Sequence, residues 1–218
     1  MKCAVCFSGQ FRSLELSLDN IIENLIIPNN CDIFIHSFLN YDCKKYTNYY
    51  NLTDDTNYGS WNEYTVDEVL KKLKPKKIKL DVEMFKFNTK NMYYSIQQSN
   101  NLKKEYEIEN NFIYSYVVRI RYDAIFTKKI NLENYNSFFL NIRNRAGGCG
   151  ELNESFAISN SEIMNNVCDL YNEYKNTKRI EEPCPEGIMG EYIHKYDIKY
   201  KFLEDNLTYV IRKNGIML

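Results

Sequence analysis

The 218-residue chain sets 28 Lys and Arg against 29 Asp and Glu, a formal net charge of −1, so neither nucleic acid nor an anionic membrane surface has an electrostatic reason to bind it. Its 44% hydrophobic and 26% charged residues are those of a globular domain, and 8 Gly with 4 Pro exclude long flexible linkers. No apolar run approaches the ~20 residues of a membrane span. The opening MKCAVCFSG is broken too soon for a secretory leader, so a cytoplasmic location is expected. The 7 cysteines are scattered and odd in number, which fits reduced thiols better than a disulfide framework. Cys3 and Cys6 form a CxxC, but on a strand residues three apart point to opposite faces, which disfavours a zinc or redox role.

In chain order, residues 2–7 read as a short apolar strand ended by Ser8-Gly9-Gln10. Residues 13–27 place Leu14, Leu18, Ile21, Ile22 and Leu25 at helical spacing, with Pro28 as the stop. Residues 32–38, DIFIHSF, form a second strand. Strand–helix–strand is the unit that builds parallel sheets. The polar, tyrosine-rich residues 40–62 read as a long surface loop. Thr65 and Glu68 make a capping box for a helix closed by Pro75, and a strand is expected over 77–82. Thr89 caps the next helix, striped by Met92, Ile96, Ser99 and Tyr106. Short strands are expected over 138–142 and 155–158. A capping box at Ser159 and Glu162 opens a helix through Tyr174. A helix over 186–194 and strands over 198–203 and 208–212 follow. The fold class is α/β: one domain over residues 1–218, with a mixed, mostly parallel central sheet flanked by helices.

The run YSYVVRIRYDAIF, residues 114–126, is the central strand. Alternation puts Tyr114, Tyr116, Val118, Ile120 and Tyr122 on one apolar face, and Ser115, Val117, Arg119, Arg121 and Asp123 on the other. Ligands of open α/β sheets gather beyond the carboxyl ends of the strands. Guanidinium groups there match phosphate oxygens, and a carboxylate beside phosphates suits a divalent cation. A structural ion-pair cluster capping the strand is the competing reading. Three further places carry candidate chemistry. In SGQFR, Gly9 lets backbone approach a ligand, Gln10 donates and accepts, and Arg12 stands at a helix start. His36 lies at the end of the second strand. In GELNESFAIS, Asn153 and Glu154 precede a strand, where a carboxylate would orient an acceptor hydroxyl or act as general base.

Together SGQFR, CDIFIHSF, MYYSIQQSNNLKKEYE, YVVRIRYDAIF, LNESFAIS and PEGIMGEYI resemble a family of small glycosyltransferase-like proteins of large DNA viruses and some bacteria. The resemblance runs from Cys3 to about Ile198 and is most specific from Met92 to Phe126. That family is similar to GT-A glycosyltransferases. The resemblance therefore implies a Rossmann-like nucleotide-binding domain, a nucleotide-diphosphate sugar donor such as a UDP-sugar, and Mn²⁺ or Mg²⁺. Asp123 would be the counterpart of the DXD metal ligand, although Arg121 stands where the motif's first Asp would be and would itself neutralise diphosphate. Ser8, Gly9, Gln10 and Arg12 would hold the nucleotide, helped by His36, Arg119, Gln97 and Ser99. Asn153 and Glu154 would face donor sugar and acceptor, making Glu154, Asn153 and Arg121 the implied catalytic set. The acceptor would be a glycan, protein or lipid, and a viral source would mean the host cytoplasm. Two alternatives stay open: a sugar-phosphate nucleotidyltransferase, and a non-catalytic module that binds nucleotide or glycan.

Overall fold

A computed structural model describes residues 1–11, 14–38, 66–81, 85, 88–144, 152–175 and 184–211, apart from the side chains at 66, 67, 88 and 154. The strands are β1 (Cys3–Gly9), β2 (Asp32–Phe38), β3 (Lys77–Asp81), β4 (Tyr116–Ile120), β5 (Ala124–Phe126), β6 (Leu140–Asn144), β7 (Leu152–Ser159), β8 (Tyr200–Phe202) and β9 (Thr208–Val210). The helices are α1 (Leu14–Ile21), α2 (Ile27–Asn29), α3 (Val66–Leu73), α4 (Asn88–Glu109), α5 (Ser161–Cys168), α6 (Leu170–Tyr174) and α7 (Pro185–Lys195).

Seven strands form one sheet in the order β3-β2-β1-β4-β7-β6-β8, while β5 and β9 pair separately. The pairs β1–β2, β1–β4, β2–β3 and β6–β8 are parallel; β4–β7 and β6–β7 are antiparallel. The expected mixed, mostly parallel α/β sheet is therefore present. Its consequence for function is geometric: β1, β2, β3 and β4 all end on one edge, and β7 begins there.

The strands are apolar on both faces because helices cover both, as parallel sheets require. Val5, Phe7, Ile33, Ile35, Val118 and Ile120 pack with Leu14, Leu18, Ile21, Val69 and Leu73. Ala4, Cys6, Phe34, Val117 and Ala157 pack on the opposite side with Tyr93, Ile96, Met164, Tyr171 and Met189. Cys3 and Cys6 fall into different cores, as alternation requires.

Several local expectations are corrected. The run 114–126 is not one strand: β4 ends at Ile120, residues 121–123 turn, and β5 leaves to pair with β9. Asp123 thus lies in a turn, where its backbone C=O accepts from Ile211 N–H at 2.8 Å. Tyr114, which precedes the strand, packs in the α4-side core, away from Val118, Ile120 and Tyr122. The first helix passes through a π-helical turn at Ile22–Ile26 and runs to Asn29, ending at Asn30 with φ 48°. Pro28 sits in the last turn of this helix, where the Asn24 carbonyl that its missing N–H would serve accepts instead from Ile130 N–H at 2.7 Å. The cap of α5 is Asn160, whose side chain accepts from Ile163 N–H at 2.9 Å; Ser159 ends β7 instead. Thr89 lies inside α4. Thr65 is outside the described residues.

The thiols are also corrected. Cys3 and Cys31 are disulfide-bonded, with Cα atoms 4.8 Å apart, and Cys184 is likewise disulfide-bonded. Ala4 pairs with Asp32, so Cys3 and Cys31 meet one step earlier in the same register, a proximity that linear spacing does not show. Cys6 and Cys168 are free and buried; burial pushes both thiols up, Cys168 to about 12, which makes them inert.

Asn29 fastens this first unit to the rest. Its amide nitrogen donates to the carbonyls of Leu25 and Ile130 at 2.7 and 2.8 Å, and its oxygen accepts from Leu132 N–H at 3.0 Å. The residue is buried. Asn29→Ala should lower stability by about 2–3 kcal/mol, because it strands a buried N–H and a carbonyl. Urea unfolding checks this; a loss below ~0.5 kcal/mol would show the clamp to be dispensable.

Candidate functional site at the carboxyl ends of the strands

The last row of side chains on the α4 side follows from register. Ser8 pairs with His36, and His36 with Lys79. Continuing the β1–β4 register one step past Phe7 and Ile120 brings Arg121 opposite Ser8, and Arg121 N–H donates to Ser155 C=O at 3.1 Å. Paired positions share a face, so Lys79, His36, Ser8, Arg121 and Ser155 cross five strands in line. Ser95 of α4 lies against this row.

Gly9 ends β1 with φ 108°, a conformation that L side chains rarely adopt. A Cβ there would meet nothing within 4 Å, so backbone conformation and not crowding requires glycine. Its N–H donates to Ser95 Oγ at 2.6 Å, and its carbonyl accepts from Ser37 Oγ at 2.7 Å. Ser95 Oγ is in turn 2.8 Å from His36 Nδ1, while His36 Nε2 is 3.0 Å from Asp81 Oδ2. Asp81 also accepts from Tyr94 O–H at 2.9 Å, and Lys79 Nζ approaches it at 3.4 Å. Burial lowers the His36 pKa to about 4 despite the Asp81 carboxylate. A neutral ring with its proton on Nε2 satisfies every partner: Nε2–H donates to Asp81, Nδ1 accepts from Ser95, and Ser95 accepts from Gly9. Burial would raise Asp81, yet the bonds from His36 and Tyr94 outweigh it and the carboxyl titrates below its ordinary value.

Arg121 and Asp123 form a fork. Nε donates to Oδ1 at 2.9 Å and Nη2 to Oδ2 at 2.7 Å. The Arg121 side chain is 20% exposed and that of Asp123 1%. Ser8 and Ser155 are each 2% exposed, and neither hydroxyl has a hydrogen-bond partner among the described residues. A buried unsatisfied hydroxyl costs about 1–3 kcal/mol. Two of them flank the arginine in the row.

These residues do not fit a divalent cation as the DXD comparison implied. Both Asp123 oxygens are taken by a guanidinium, whose charge repels a second cation. No group of three or more His, Cys, Asp or Glu gathers for a metal among the described residues.

The other sequence-derived candidates divide. Gln10 is half-buried beside Gly9. Both ring nitrogens of the fully buried His36 are already engaged, by Ser95 and Asp81, so it offers no free polar atom and instead supports Ser95 and, through it, Gly9. Arg119 lies one row deeper, against Ile96, Met164, Cys168 and Met189. Ser99 is buried, its hydroxyl donating to Ile96 C=O at 3.0 Å within its own helix. Gln97 is buried two residues beyond Ser95, about 200° around the helix and so turned away from Gly9. Asn153 Oδ1 accepts from Ser155 N–H at 2.9 Å and shapes the start of β7. Arg12 and the Glu154 side chain lie outside the described residues. Sequence reading missed Ser95, Asp81, Tyr94 and Ser155. Asp81 carried a signal, an acid closing the apolar run KIKLD; Ser95 carried none, because only the fold brings it to Gly9.

The histidine makes stability pH-dependent. Unfolded, it takes up a proton near its ordinary 6.5; folded, only near 4. Between those values the unfolded state holds more protons, so stability falls as pH drops through the window, by about 2 kcal/mol at pH 5 from this group. Urea midpoints at pH 6.8 and 5.0 should show that slope, and His36→Gln should flatten it; an equal slope in the variant would remove His36 as its source.

The chain is similar in fold to the apo form of the glycosyltransferase GlyE of Streptococcus pneumoniae TIGR4, with 14% sequence identity and a TM-score of 0.49, over 94% of this chain and 46% of that one. It thus spans less than half of that protein's length, and a likeness at this level carries no functional argument. No curated protein matches the chain. Residues 1–168 match the family described as a domain of unknown function, DUF7796, and the chain belongs to that family.

Proposed function

We propose that the protein is a glycosyltransferase that moves a sugar from a nucleotide-diphosphate donor to an acceptor hydroxyl, with the donor diphosphate at the carboxyl ends of β1 and β4. The observation that carries this reading is the Arg121–Asp123 fork beside the Gly9 turn, on the edge where four parallel strands end. Strand ends of this kind are where open α/β sheets take nucleotides, and a fixed guanidinium is the donor that phosphoryl oxygens prefer.

The chemistry asked of such a site is stabilisation of a leaving group. As the glycosidic bond breaks, negative charge grows on the diphosphate, and a donor already held in place needs no reorganisation to meet it. Arg121 supplies that contact. Gly9 gives the ligand access to backbone, and the bonds from Ser95 and Ser37 keep the turn from relaxing when the site is empty. If transfer inverts the anomeric centre, an acceptor hydroxyl needs a base, and Glu154 of β7 is the residue assigned that role. If transfer retains it, Glu154 only positions substrate.

Purified protein should show a raised melting temperature with one nucleotide-diphosphate sugar and should release nucleoside diphosphate when an acceptor is added. Arg121→Gln should weaken nucleoside-diphosphate binding at least tenfold and leave nucleoside binding unchanged; equal losses would remove it from the phosphate site. Glu154→Gln should lower turnover about a hundredfold with donor affinity retained if it is the base. No thermal shift and no release with any donor would reject transfer in favour of a non-catalytic binding module.

A further inference from the structure

We propose that Ser8, Arg121 and Ser155 form a cradle that binds two linked phosphoryl groups without a divalent cation. This rests on the reading of the strand-end edge as a diphosphate site and adds how the anion is held.

Arg121 stands between the two serines in the row. Ser8 precedes it on β1, and Ser155 follows it on β7, tied to it by the backbone bond of 3.1 Å. Adjacent strands are about 4.8 Å apart, so the serine positions are separated by about 10 Å. That is too wide for one phosphoryl group to bond both hydroxyls, and within reach of two joined by a bridging oxygen.

The hydroxyls themselves point to a ligand. Both are buried and without a hydrogen-bond partner among the described residues; Asn100 Oδ1 and the Thr208 hydroxyl are bare as well, but Ser8 and Ser155 flank Arg121 in one row, at an edge whose neighbouring hydroxyls are bonded. Ser37 bonds Gly9, Ser95 bonds Gly9 and His36, and Tyr122 bonds the His36 carbonyl at 3.0 Å. A serine hydroxyl donates well to a phosphoryl oxygen. The 20% exposure of the Arg121 side chain marks the side from which the anion arrives.

Asp123 then has a role other than metal binding. Its two oxygens hold Nε and Nη2 and fix the plane of the guanidinium. Arg121, its charge partly offset by Asp123, takes the place of a cation as the charged contact to the diphosphate, and the remaining contacts come from neutral donors.

Isothermal titration of the full chain with inorganic pyrophosphate, in EDTA, tests the cradle. Binding should persist in EDTA and should exceed binding of orthophosphate at least tenfold. Ser8→Ala and Ser155→Ala should each weaken it about tenfold, and Arg121→Gln about a hundredfold. Asp123→Asn should weaken pyrophosphate binding in EDTA, but by less than Arg121→Gln does, since the guanidinium remains and loses only the carboxylate that fixes its plane. Binding that appears only with added Mn²⁺ or Mg²⁺, no pyrophosphate binding at all, or binding indifferent to both serine substitutions overturns the proposal; in the last case the hydroxyls are merely hydrated. Circular dichroism melts confirm that each variant folds, and if Arg121→Gln does not, the serine variants carry the test. Donor turnover is read separately. Turnover without EDTA-resistant pyrophosphate binding rejects the cradle and leaves transfer standing. EDTA-resistant binding without turnover of any donor does the reverse.

Discussion

His36 has no access to water, and β2, β3 and α4 meet at the carboxyl edge of the sheet in satisfying its two ring nitrogens. A charged imidazolium at that depth would be costly, so the ring is neutral and must both donate and accept. Asp81 at the end of β3 accepts a hydrogen bond from one nitrogen, and Ser95 on α4 donates to the other. Three elements distant in sequence are joined through one side chain. The result reaches the ligand side of the sheet only at Gly9, whose N–H ends the series on Ser95. That bond holds a backbone conformation that residues other than glycine rarely adopt, in the turn at the carboxyl end of the first strand. A histidine at a strand end reads naturally as a ligand contact; here both its nitrogens are engaged, and it supports the Gly9 turn instead.

The opposite end of α4 shows how this fold satisfies a buried ion pair that has only a structural role. Lys103 is fully buried, yet its ammonium meets Glu107 at 3.1 Å, Asn165 Oδ1 at 2.9 Å and the hydroxyl of Ser161. Glu107 also accepts from Tyr114 N–H at 2.8 Å and from Ser161 at 3.0 Å. Every member has several partners, as a buried ion pair needs if its desolvation is to be offset. Asn100 Oδ1 and the Thr208 hydroxyl fall short of that standard, as do the hydroxyls of Ser8 and Ser155; the two serines differ in flanking one guanidinium at the carboxyl edge. Departures from complete satisfaction concentrate where a protein has a use for the group.

The sheet was legible because its signals are local. Apolar runs of strand length, separated by helical periodicity and stopped by proline, place β1, α1, β2, α3 and β3 within a few residues of where they lie. The boundary that failed is the one that matters most for the site. Residues 114–126 alternate without interruption, and nothing in the pattern shows that the chain turns at 121–123 so that Ala124–Phe126 can pair with Thr208–Val210. Pairing with a segment more than eighty positions away overrides a local periodicity. The same limit explains the cysteines, since Cys3 and Cys31 meet only through the β1–β2 register, and it explains Ser95. Arg121 and Asp123 were legible as a charged pair; their engagement with each other, which decides what Asp123 can do, was not.

An arginine locked to a carboxylate is nearly neutral when seen from a distance, and that shapes what the site can bind. A bare guanidinium cluster attracts any anion and pays for it with self-repulsion in the empty state. The Arg121–Asp123 fork avoids that repulsion and keeps the guanidinium plane fixed, but it gives up part of the attraction. Discrimination then has to come from short-range donors at set positions: hydroxyls in register on the flanking strands and the glycine turn beside them. Hydrogen bonds to a charged acceptor are worth about 1.5–3 kcal/mol each, and they fall away steeply if the acceptor is displaced. On the proposed reading, a site built in this way would recognise the spacing of phosphoryl oxygens more than their total charge. That is the property a transferase needs if it is to release a free diphosphate after holding one attached to sugar.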